Sequence, residues 1–167
     1  MIRTPQELFA QQLRRMLWVE QTQAEEILPE LYDRIHAVDL RLTVERHILE
    51  TQQHVRALEI ILHQLGEAAR PEESAALQGL TQEHDLLLTV VDGERHLADL
   101  AHAEAITRSE HLEIAAYAAL HAIANALGEE EIAAKLQELL EQEGFALELA
   151  ERATAKLLAE KVEAERT

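Results

Sequence analysis

One stretch of the chain, residues 108–120 (RSEHLEIAAYAAL), limits most strongly what the chain can fold into. It lies in a long helical run, about 94–127, in which residues at three- and four-residue steps share one helix face. The members of this face are Leu100, Ala103, Ile106, Glu110, Glu113, Tyr117, Leu120, Ala124 and Leu127. An apolar helix face is normally buried, yet the middle of this one carries two carboxylates and a tyrosine. Because a buried ionised carboxylate is costly unless it is paired or metal-bound, the sequence predicts a partner that neutralises Glu110 and Glu113.

The rest of the chain is also predicted to be helical. Strong helix formers dominate it, only 3% of its residues are aromatic, and it contains five glycines and three prolines. Its 167 residues suit one domain, 1–167, with a sizeable core. The chain has no cysteine, which excludes disulfides, thiolate ligands and a cysteine nucleophile.

Start and stop signals divide the chain into four long helices and one short one. Thr4-Pro5-Gln6-Glu7 predicts the first start, with Thr4 as N-cap and Glu7 closing a capping box. This helix should run to about residue 35, with a kink at Pro29. Asp39 is the predicted N-cap of the second helix, which should end at Gly66.

The second half of the chain repeats this arrangement after a crossover. A shorter helix is predicted over 72–91, ended by Asp92-Gly93. The third and fourth long helices are predicted over about 94–127 and 129–162, separated at Gly128, and the charged tail 161–167 is expected to fray. We therefore expect an all-α fold, a ferritin-like antiparallel four-helix bundle with a long crossover that contains a short extra helix.

Each long helix carries at least one glutamate in its apolar seam. These are Glu20, Glu50, Glu110 with Glu113, and Glu143. Counted from the turns, their heights agree within each hairpin to about one helical turn, so the charges can converge in one layer. Singly, each could reach solvent or pair with an arginine, but the agreement of four helices favours a metal site. Carboxylates with imidazole suit iron or manganese, and facing bundle helices are where di-iron carboxylate sites are built.

Two histidines accompany Glu50 in the second helix. His47 lies three residues before Glu50 and His54 four residues after it, so either can share its face. The usual Glu-x-x-His pattern is not present cleanly, and His47 could equally be a hydrogen-bonded core histidine that supports a ligand. His111 should point away from the seam. The remaining histidines are predicted at the surface or at edges: His36, His63, His84, His96, His102 and His121.

Charge and hydropathy limit the partners. The formal charge of −17 opposes binding to nucleic acid, and most of it is expected to be a solvated surface. No apolar run reaches the length of a membrane span and no N-terminal signal pattern is present, so a cytoplasmic location is expected.

Four stretches of the chain resemble the YciF/YciE family of ferritin-like bacterial stress proteins. They are LFAQQLRRMLWVEQ, HILETQQHV, SEHLEIAAYAAL and LEQEGFALELA, and the resemblance covers nearly the whole chain. It implies a dimer of four-helix bundles and a di-iron centre related to that of rubrerythrin. By motif, it implicates Glu20, Glu50, Glu110, Glu113 and Glu143. The family more usually has Gln where His54 stands and Asp where Leu147 stands, so His54 can compensate for the missing carboxylate.

Two functions follow from these residues. The first is an oxidoreductase whose two metal ions, bridged by Glu50 and either Glu143 or Glu113, react with peroxide or oxygen. Tyr117 would orient a carboxylate or donate an electron, or it is a core tyrosine with a satisfied hydroxyl. The second is a structural or regulatory stress protein with a vestigial or stabilising metal site. The apolar run 86–91 (LLLTVV) predicts a homodimer, although it could also bind another partner.

Overall fold

The computed structural model describes residues 1–91, 93–164 and 166, and within them the regular secondary structure is entirely helical. Helices and one π-helical segment follow in the order α1 (Pro5–Thr22), the π segment (Gln23–Ile27), α2 (Leu28–Arg34), α3 (Val38–Gln64), α4 (Ala75–Val90), α5 (Arg95–Leu127) and α6 (Glu130–Ala164). Together, α1, the π segment and α2 form the first of four long helical arms, and α3, α5 and α6 form the other three. These four arms, with α4 in the crossover between α3 and α5, confirm the predicted ferritin-like bundle. Asp92, part of the predicted end of the short helix, lies outside the described residues, as do Glu165 and Thr167 of the predicted tail.

The first arm starts as predicted but is not one regular helix. The amide of Glu7 donates to Thr4 Oγ1 (3.1 Å), and the Thr4 amide donates to Glu7 Oε2 (3.2 Å), which completes the capping box. Farther along, the amide of Leu28 donates to the carbonyl of Gln23, five residues back, in the π segment. This wider turn ends directly before Pro29, which has no amide to continue the α-helical ladder. The irregularity predicted at Pro29 is therefore a π-helical segment that precedes it.

The predicted N-cap of the second arm is wrong. Helix α3 begins at Val38 after an N-cap at Ala37, and Asp39 lies inside the first turn, where it pairs with Lys156. The cap comes instead from α5: Asp99 accepts hydrogen bonds from the amides of His36 (2.9 Å) and Ala37 (2.8 Å). A buried carboxylate thus accepts hydrogen bonds from backbone amides at the start of α3, where the amides have no partner within the helix.

Two of the long helices, α3 and α5, end at glycine as predicted. Gly66 and Gly128 have φ values of 73° and 78°, which side chains with a Cβ rarely adopt. The following amides of Glu67 and Glu129 reach back to the carbonyls of Leu62 (2.9 Å) and Ala124 (3.0 Å), as in Schellman caps. Gly128 joins α5 to α6 in an antiparallel hairpin, whereas Gly66 ends α3 and begins the crossover to α4.

The bundle core consists of two apolar clusters. One includes Phe9, Leu13, Leu58, Leu120 and Leu136, and the other includes Leu31, Leu40, Ile106, Ala150 and Leu157. Along each arm, the buried carboxylates, or in α3 the buried His47 and His54, fall between the residues of the first cluster and those of the second. Within the described residues, no helix combines the length and apolarity required to cross a bilayer.

Candidate metal centre

Six of the predicted site residues come together inside the bundle. Glu20 from α1, His47 and His54 from α3, Glu110 and Glu113 from α5, and Glu143 from α6 are all buried. Helical spacing accounts for the positions of these side chains, since those on one arm lie one or two turns apart on its inward face. The four arms therefore contribute four carboxylates and two imidazoles to one layer.

Two groups of three donor atoms lie within this layer. Glu20, His54 and Glu143 form one group, and His47, Glu110 and Glu143 form the other; within each group, single donor atoms lie within 4.8 Å of one another. In the first, His54 Nδ1 is 2.8 Å from Glu143 Oε1 and 3.3 Å from Glu20 Oε1. In the second, His47 Nε2 is 3.0 Å from Glu110 Oε1. Because Glu143 belongs to both groups, the two groups share one carboxylate.

Many of these buried donor atoms make no hydrogen bond to a described residue. They are Glu20 Oε2, Gln23 Oε1, His47 Nδ1 and Nε2, His54 Nδ1, Glu110 Oε2, Glu113 Oε2, and both carboxylate oxygens of Glu143. The contacts of His54 and His47 with carboxylates are thus close in distance but not aligned as hydrogen bonds. Buried polar atoms are rarely left without partners. Oxygen and nitrogen donors that converge without satisfying each other fit a bound cation, and this cluster could therefore hold metal.

Glu113 is held by two polar residues that the sequence analysis did not single out. Gln23 Nε2 and Ser109 Oγ each donate to Glu113 Oε1, both at 2.9 Å, and Gln23 Nε2 also donates to Ser109 Oγ. The spacing of these two residues could have identified them, because Gln23 lies three residues after Glu20 and Ser109 lies four residues before Glu113. Each therefore shares a helix face with a seam glutamate. These bonds fix one carboxylate oxygen of Glu113 and leave Oε2 without a partner.

Tyr117 and Gln142 support the first donor group. The buried Tyr117 hydroxyl donates to Glu20 Oε1, so it orients a carboxylate of the cluster. Gln142 Oε1 lies 2.8 Å from His54 Nε2 and accepts a hydrogen bond from it when Nε2 is protonated. His54 Nδ1 then faces Glu20 and Glu143. Gln142 is a third residue that the sequence analysis did not identify, although it immediately precedes Glu143.

Glu50 lies at the edge of the cluster and belongs to neither donor group. Its side chain is 19% exposed, pairs with Arg46 at 2.7 Å, and has Oε2 3.9 Å from His47 Nδ1. Contact with His47, partly offset by burial and reinforced by Arg46, lowers the pKa of Glu50. Its role as a bridging ligand stays a prediction.

Burial and mutual repulsion make the cluster retain protons. Burial raises the pKa of Glu113 to about 8, with Glu143 and Glu110 adding to the effect. Burial likewise raises the pKa of Glu143 to about 8, with Glu20 adding to it and His54 opposing it. The pKa of Glu20 is also raised by burial. Without a cation, some of these acids are therefore protonated at neutral pH.

The two histidines respond in the opposite sense. Burial alone lowers the pKa of His54, but the carboxylates of Glu143 and Glu20 outweigh it and raise the pKa to about 11. For His47, burial is likewise outweighed, chiefly by Glu110, and the pKa is well above its ordinary value. Metal ions bind unprotonated imidazole and ionised carboxylate, so binding here must release protons.

The other histidines follow the prediction with one exception. His111 is exposed and points away from the seam, as expected. His102, predicted at the surface or an edge, is buried, because α4 covers this part of α5. Its Nδ1 lies 3.0 Å from Nε2 of the half-buried His84, and burial together with His84 lowers the pKa of His102 to about 4.

Comparisons with known proteins agree with this architecture. Residues 4–164 match the protein family described as "Domain of unknown function (DUF892)". The chain is similar in structure to YcfI from Rhodopseudomonas palustris, for which a structural role has been suggested (TM-score 0.78, 27% identity, covering 93% of this chain and 94% of that one). It is also similar to the Escherichia coli stress protein YciF (TM-score 0.87, 21% identity, 95% and 99%). A protein from Xanthomonas campestris pv. campestris shares the fold as well (TM-score 0.76, 22% identity, 98% and 99%).

Among curated proteins, none matches the chain. The family match spans nearly all of the sequence, and the likeness to YciF confirms the family resemblance drawn from the four sequence stretches. The chain therefore belongs to the DUF892 family and is similar to YciF.

Proposed function

We propose that this protein binds two iron ions in its Glu/His cluster and acts in stress response by reducing hydrogen peroxide or oxidising Fe(II). The observation that carries the proposal is the membership of Glu143 in both donor groups, with both of its oxygens lacking a hydrogen-bond partner among the described residues. A carboxylate in that position suits a bridge between two ions. The description of YciF as a stress protein supports the biological setting.

The donor set fits iron, with manganese as the alternative ion. Glu20 and His54 would hold one ion and His47 and Glu110 the other, each together with Glu143. Carboxylate oxygens with one imidazole for each ion match the preference of these metals, and facing helices of a bundle supply them in known di-iron carboxylate proteins. Glu113, with an unpartnered Oε2 beside the cluster, is a further carboxylate within the layer.

The chemistry proposed is a two-electron reduction. When bound, two Fe(II) ions would supply one electron each, and hydrogen peroxide with two protons would yield two water molecules as its O–O bond breaks, leaving two Fe(III). The protein's own residues hold the ligands in place: Tyr117 orients Glu20, and Gln23 with Ser109 orients Glu113. The apolar clusters on both sides of the layer limit the access of water.

Anaerobic titration with Fe(II), followed by addition of peroxide, tests this proposal. Wild type should bind two ions per chain and consume one peroxide for every two Fe(II) oxidised. Glu143→Ala should weaken both sites, because it removes the shared donor. Glu20→Ala should weaken one site more than the other. His111→Ala is the control, since its side chain is exposed and lies outside both donor groups, and it should bind as wild type does.

Two results would contradict the proposal. If iron bound to Glu143→Ala with the same stoichiometry and affinity as to wild type, the cluster would not be the iron site. Two bound Fe(II) ions that react with neither peroxide nor oxygen would show that the site is not catalytic.

A non-catalytic structural protein is the second candidate function. The suggested structural role of YcfI, at 27% identity over 93% of this chain, favours it. In that case a bound ion would only neutralise the buried carboxylates and stabilise the bundle. Redox-inactive zinc would then raise the midpoint of thermal unfolding as much as iron does, and the iron-loaded protein would consume no peroxide.

We also propose that the protein is a cytoplasmic homodimer of 1–167 domains. Leu86 and Val90 of α4 are 62% and 74% exposed, which leaves an apolar strip on the crossover helix. A second copy of the chain would cover this strip. Light scattering should give twice the monomer mass, whereas a monomer or a cage-sized particle would contradict the proposal.

A further inference from the structure

A cavity of about 30 Å³ lies between α4, the π segment and α5, next to the candidate metal centre. A space of roughly 10–15 Å³ by this measure holds one water molecule, so the cavity has room for a molecule of two heavy atoms. Its outer end is at Thr81 and His84 of α4, and His84 is only half-buried. Its inner end is at Gln23, Ser109 and Glu110, inside the bundle.

The wall between these two ends is apolar. Its residues include Ile27, Leu28, Leu31, Leu80, Ala105 and Ile106. Moving an ion along such a wall would cost its hydration without replacing it, so a metal cation would not enter here. A small uncharged molecule could pass, because it gives up far less hydration.

The inner end offers hydrogen-bond acceptors without partners. Gln23 is 2% exposed and Glu110 is 1% exposed, and neither Gln23 Oε1 nor Glu110 Oε2 has a partner among the described residues. The π segment places Gln23 there, and π-helical turns in α-helices are frequently found at functional sites. Once Glu110 binds metal, Gln23 Oε1 remains as an acceptor for an incoming O–H donor.

We infer that this cavity is the route by which hydrogen peroxide reaches the metal centre, with Gln23 Oε1 receiving it at the inner end. Peroxide has two heavy atoms, is uncharged and donates two hydrogen bonds, which matches the volume, the apolar wall and the inner end of the cavity. Dioxygen matches the volume and the wall but cannot donate to Gln23. This inference rests on the proposed function, and it assigns α4 the role of the cover over the substrate route.

Two substitutions on the wall should change the rate in opposite directions. Ala105→Leu fills the cavity from α5 and should lower the second-order rate constant for Fe(II) oxidation by peroxide roughly tenfold, equivalent to about 1.4 kcal/mol in the barrier. Leu80→Ala widens the cavity from α4 and should raise that rate constant. Ala98→Leu is the matched control, because Ala98 is a half-buried alanine of the same helix that does not line the cavity. Anaerobic Fe(II) binding should be unchanged in all three variants.

A second measurement does not depend on activity. Dissolved dioxygen is paramagnetic and speeds the relaxation of methyl groups that it approaches, so it reports whether a small uncharged molecule enters. In the zinc-loaded protein, which is diamagnetic, the methyl groups of Leu28 and Ile106, two buried residues that line the cavity, should relax faster under oxygen than those of Leu13 and Leu40. The latter two are buried in the apolar clusters and do not line this cavity.

Each outcome decides a separate question. If wild type oxidises Fe(II) with peroxide but Ala105→Leu and Leu80→Ala do so at the wild-type rate, the route is wrong and the proposed function stands. If the substitutions change the rate with dioxygen but not with peroxide, the assignment of peroxide is overturned. If wild type reacts with neither peroxide nor dioxygen, the proposed function fails. Equal relaxation of the methyl groups of all four residues would overturn the route. Should Ala105→Leu fail to fold, Leu80→Ala and the relaxation measurement carry the test.

Discussion

Removing bound metal should make the stability of this protein fall as the pH rises from about 4.5 to 8. The reason is the raised pKa of Glu113 and Glu143, each about 8 in the metal-free fold against 4.5 for an ordinary glutamate. Below pH 4.5 these acids are protonated in both the folded and the unfolded chain. Above it, the unfolded chain gives up its protons first, so each further rise in pH favours unfolding until the folded acids ionise as well.

The magnitude follows from these pKa values. At about 1.36 kcal/mol per pH unit, a carboxyl group that titrates at 8 rather than 4.5 contributes about 5 kcal/mol to the pH dependence. The two acids repel each other and titrate as a pair, so a slope of at least about 1.4 kcal/mol per pH unit is expected. His54, whose pKa is raised to about 11, adds a loss in the same direction above pH 6.5, where the unfolded histidine loses its proton. A loss of this size rivals the total stability of a typical domain, roughly 5–15 kcal/mol.

Urea unfolding followed by circular dichroism would measure this effect at pH 5, 6, 7 and 8. The chelator-treated protein should lose stability at each step, whereas the zinc-loaded protein should not, because binding strengthens as the ligands lose protons. Glu113→Gln is the matched variant: it mimics the protonated acid and should make the metal-free slope shallower by about 1.4 kcal/mol per pH unit. Parallel curves for the metal-free and metal-loaded protein, or a metal-free form that gains stability with pH, would refute the reasoning.

Three further outcomes are expected. Tyr117→Phe removes the hydroxyl that donates to Glu20, so the free energy of unfolding should fall by about 1.5–3 kcal/mol; an unchanged urea midpoint would argue against this bond. Asp99→Ala leaves the start of α3 without its cap, so the free energy of unfolding should fall by about 0.5–2 kcal/mol. Asp39→Ala loses only an exposed ion pair and should lower it by less than about 1 kcal/mol. Equal losses in the two variants would contradict Asp99 as the cap. Leu86→Glu places a charge on the exposed strip of α4 and should convert the proposed dimer to monomer in light scattering, with helix content retained.

The four-helix architecture could be predicted because each signal is local. Thr4 with Glu7 at the start of α1, and Gly66 and Gly128 at the ends of α3 and α5, act on residues a few positions away. The seam glutamates could be placed for the same reason: their spacing fixes the helix face, and counting from the turns fixes their height. This counting places four glutamates inside the bundle, and the structure buries all four: Glu20, Glu110, Glu113 and Glu143.

The features that were missed depend on contacts between distant parts of the chain. Asp99 caps a helix that begins 61 residues earlier in the sequence, so Asp39, the nearer carboxylate, was the only local candidate. His102 is buried by α4, whose position over α5 no periodicity reveals. Glu50 has seam spacing, but Arg46 one turn earlier holds it at the edge of the layer. That residues 1–167 form one domain stays a prediction.

The π segment also fixes the rotational phase of the first arm. An α-helix turns about 100° per residue, so one added residue would normally rotate everything after it by that angle. The wider π turn absorbs the added residue, and the residues after it keep the same side facing the core. Glu25 and Glu26 are exposed, so substitutions there should be tolerated. If the segment kept all its residues but formed regular α-helical turns, Leu28 and Leu31 would rotate away from the second apolar cluster by about 100°. Deleting Glu25 would instead restore a regular turn with both leucines still facing that cluster. The wide turn, rather than the identity of the exposed residues in this segment, therefore keeps the second half of the arm facing the core.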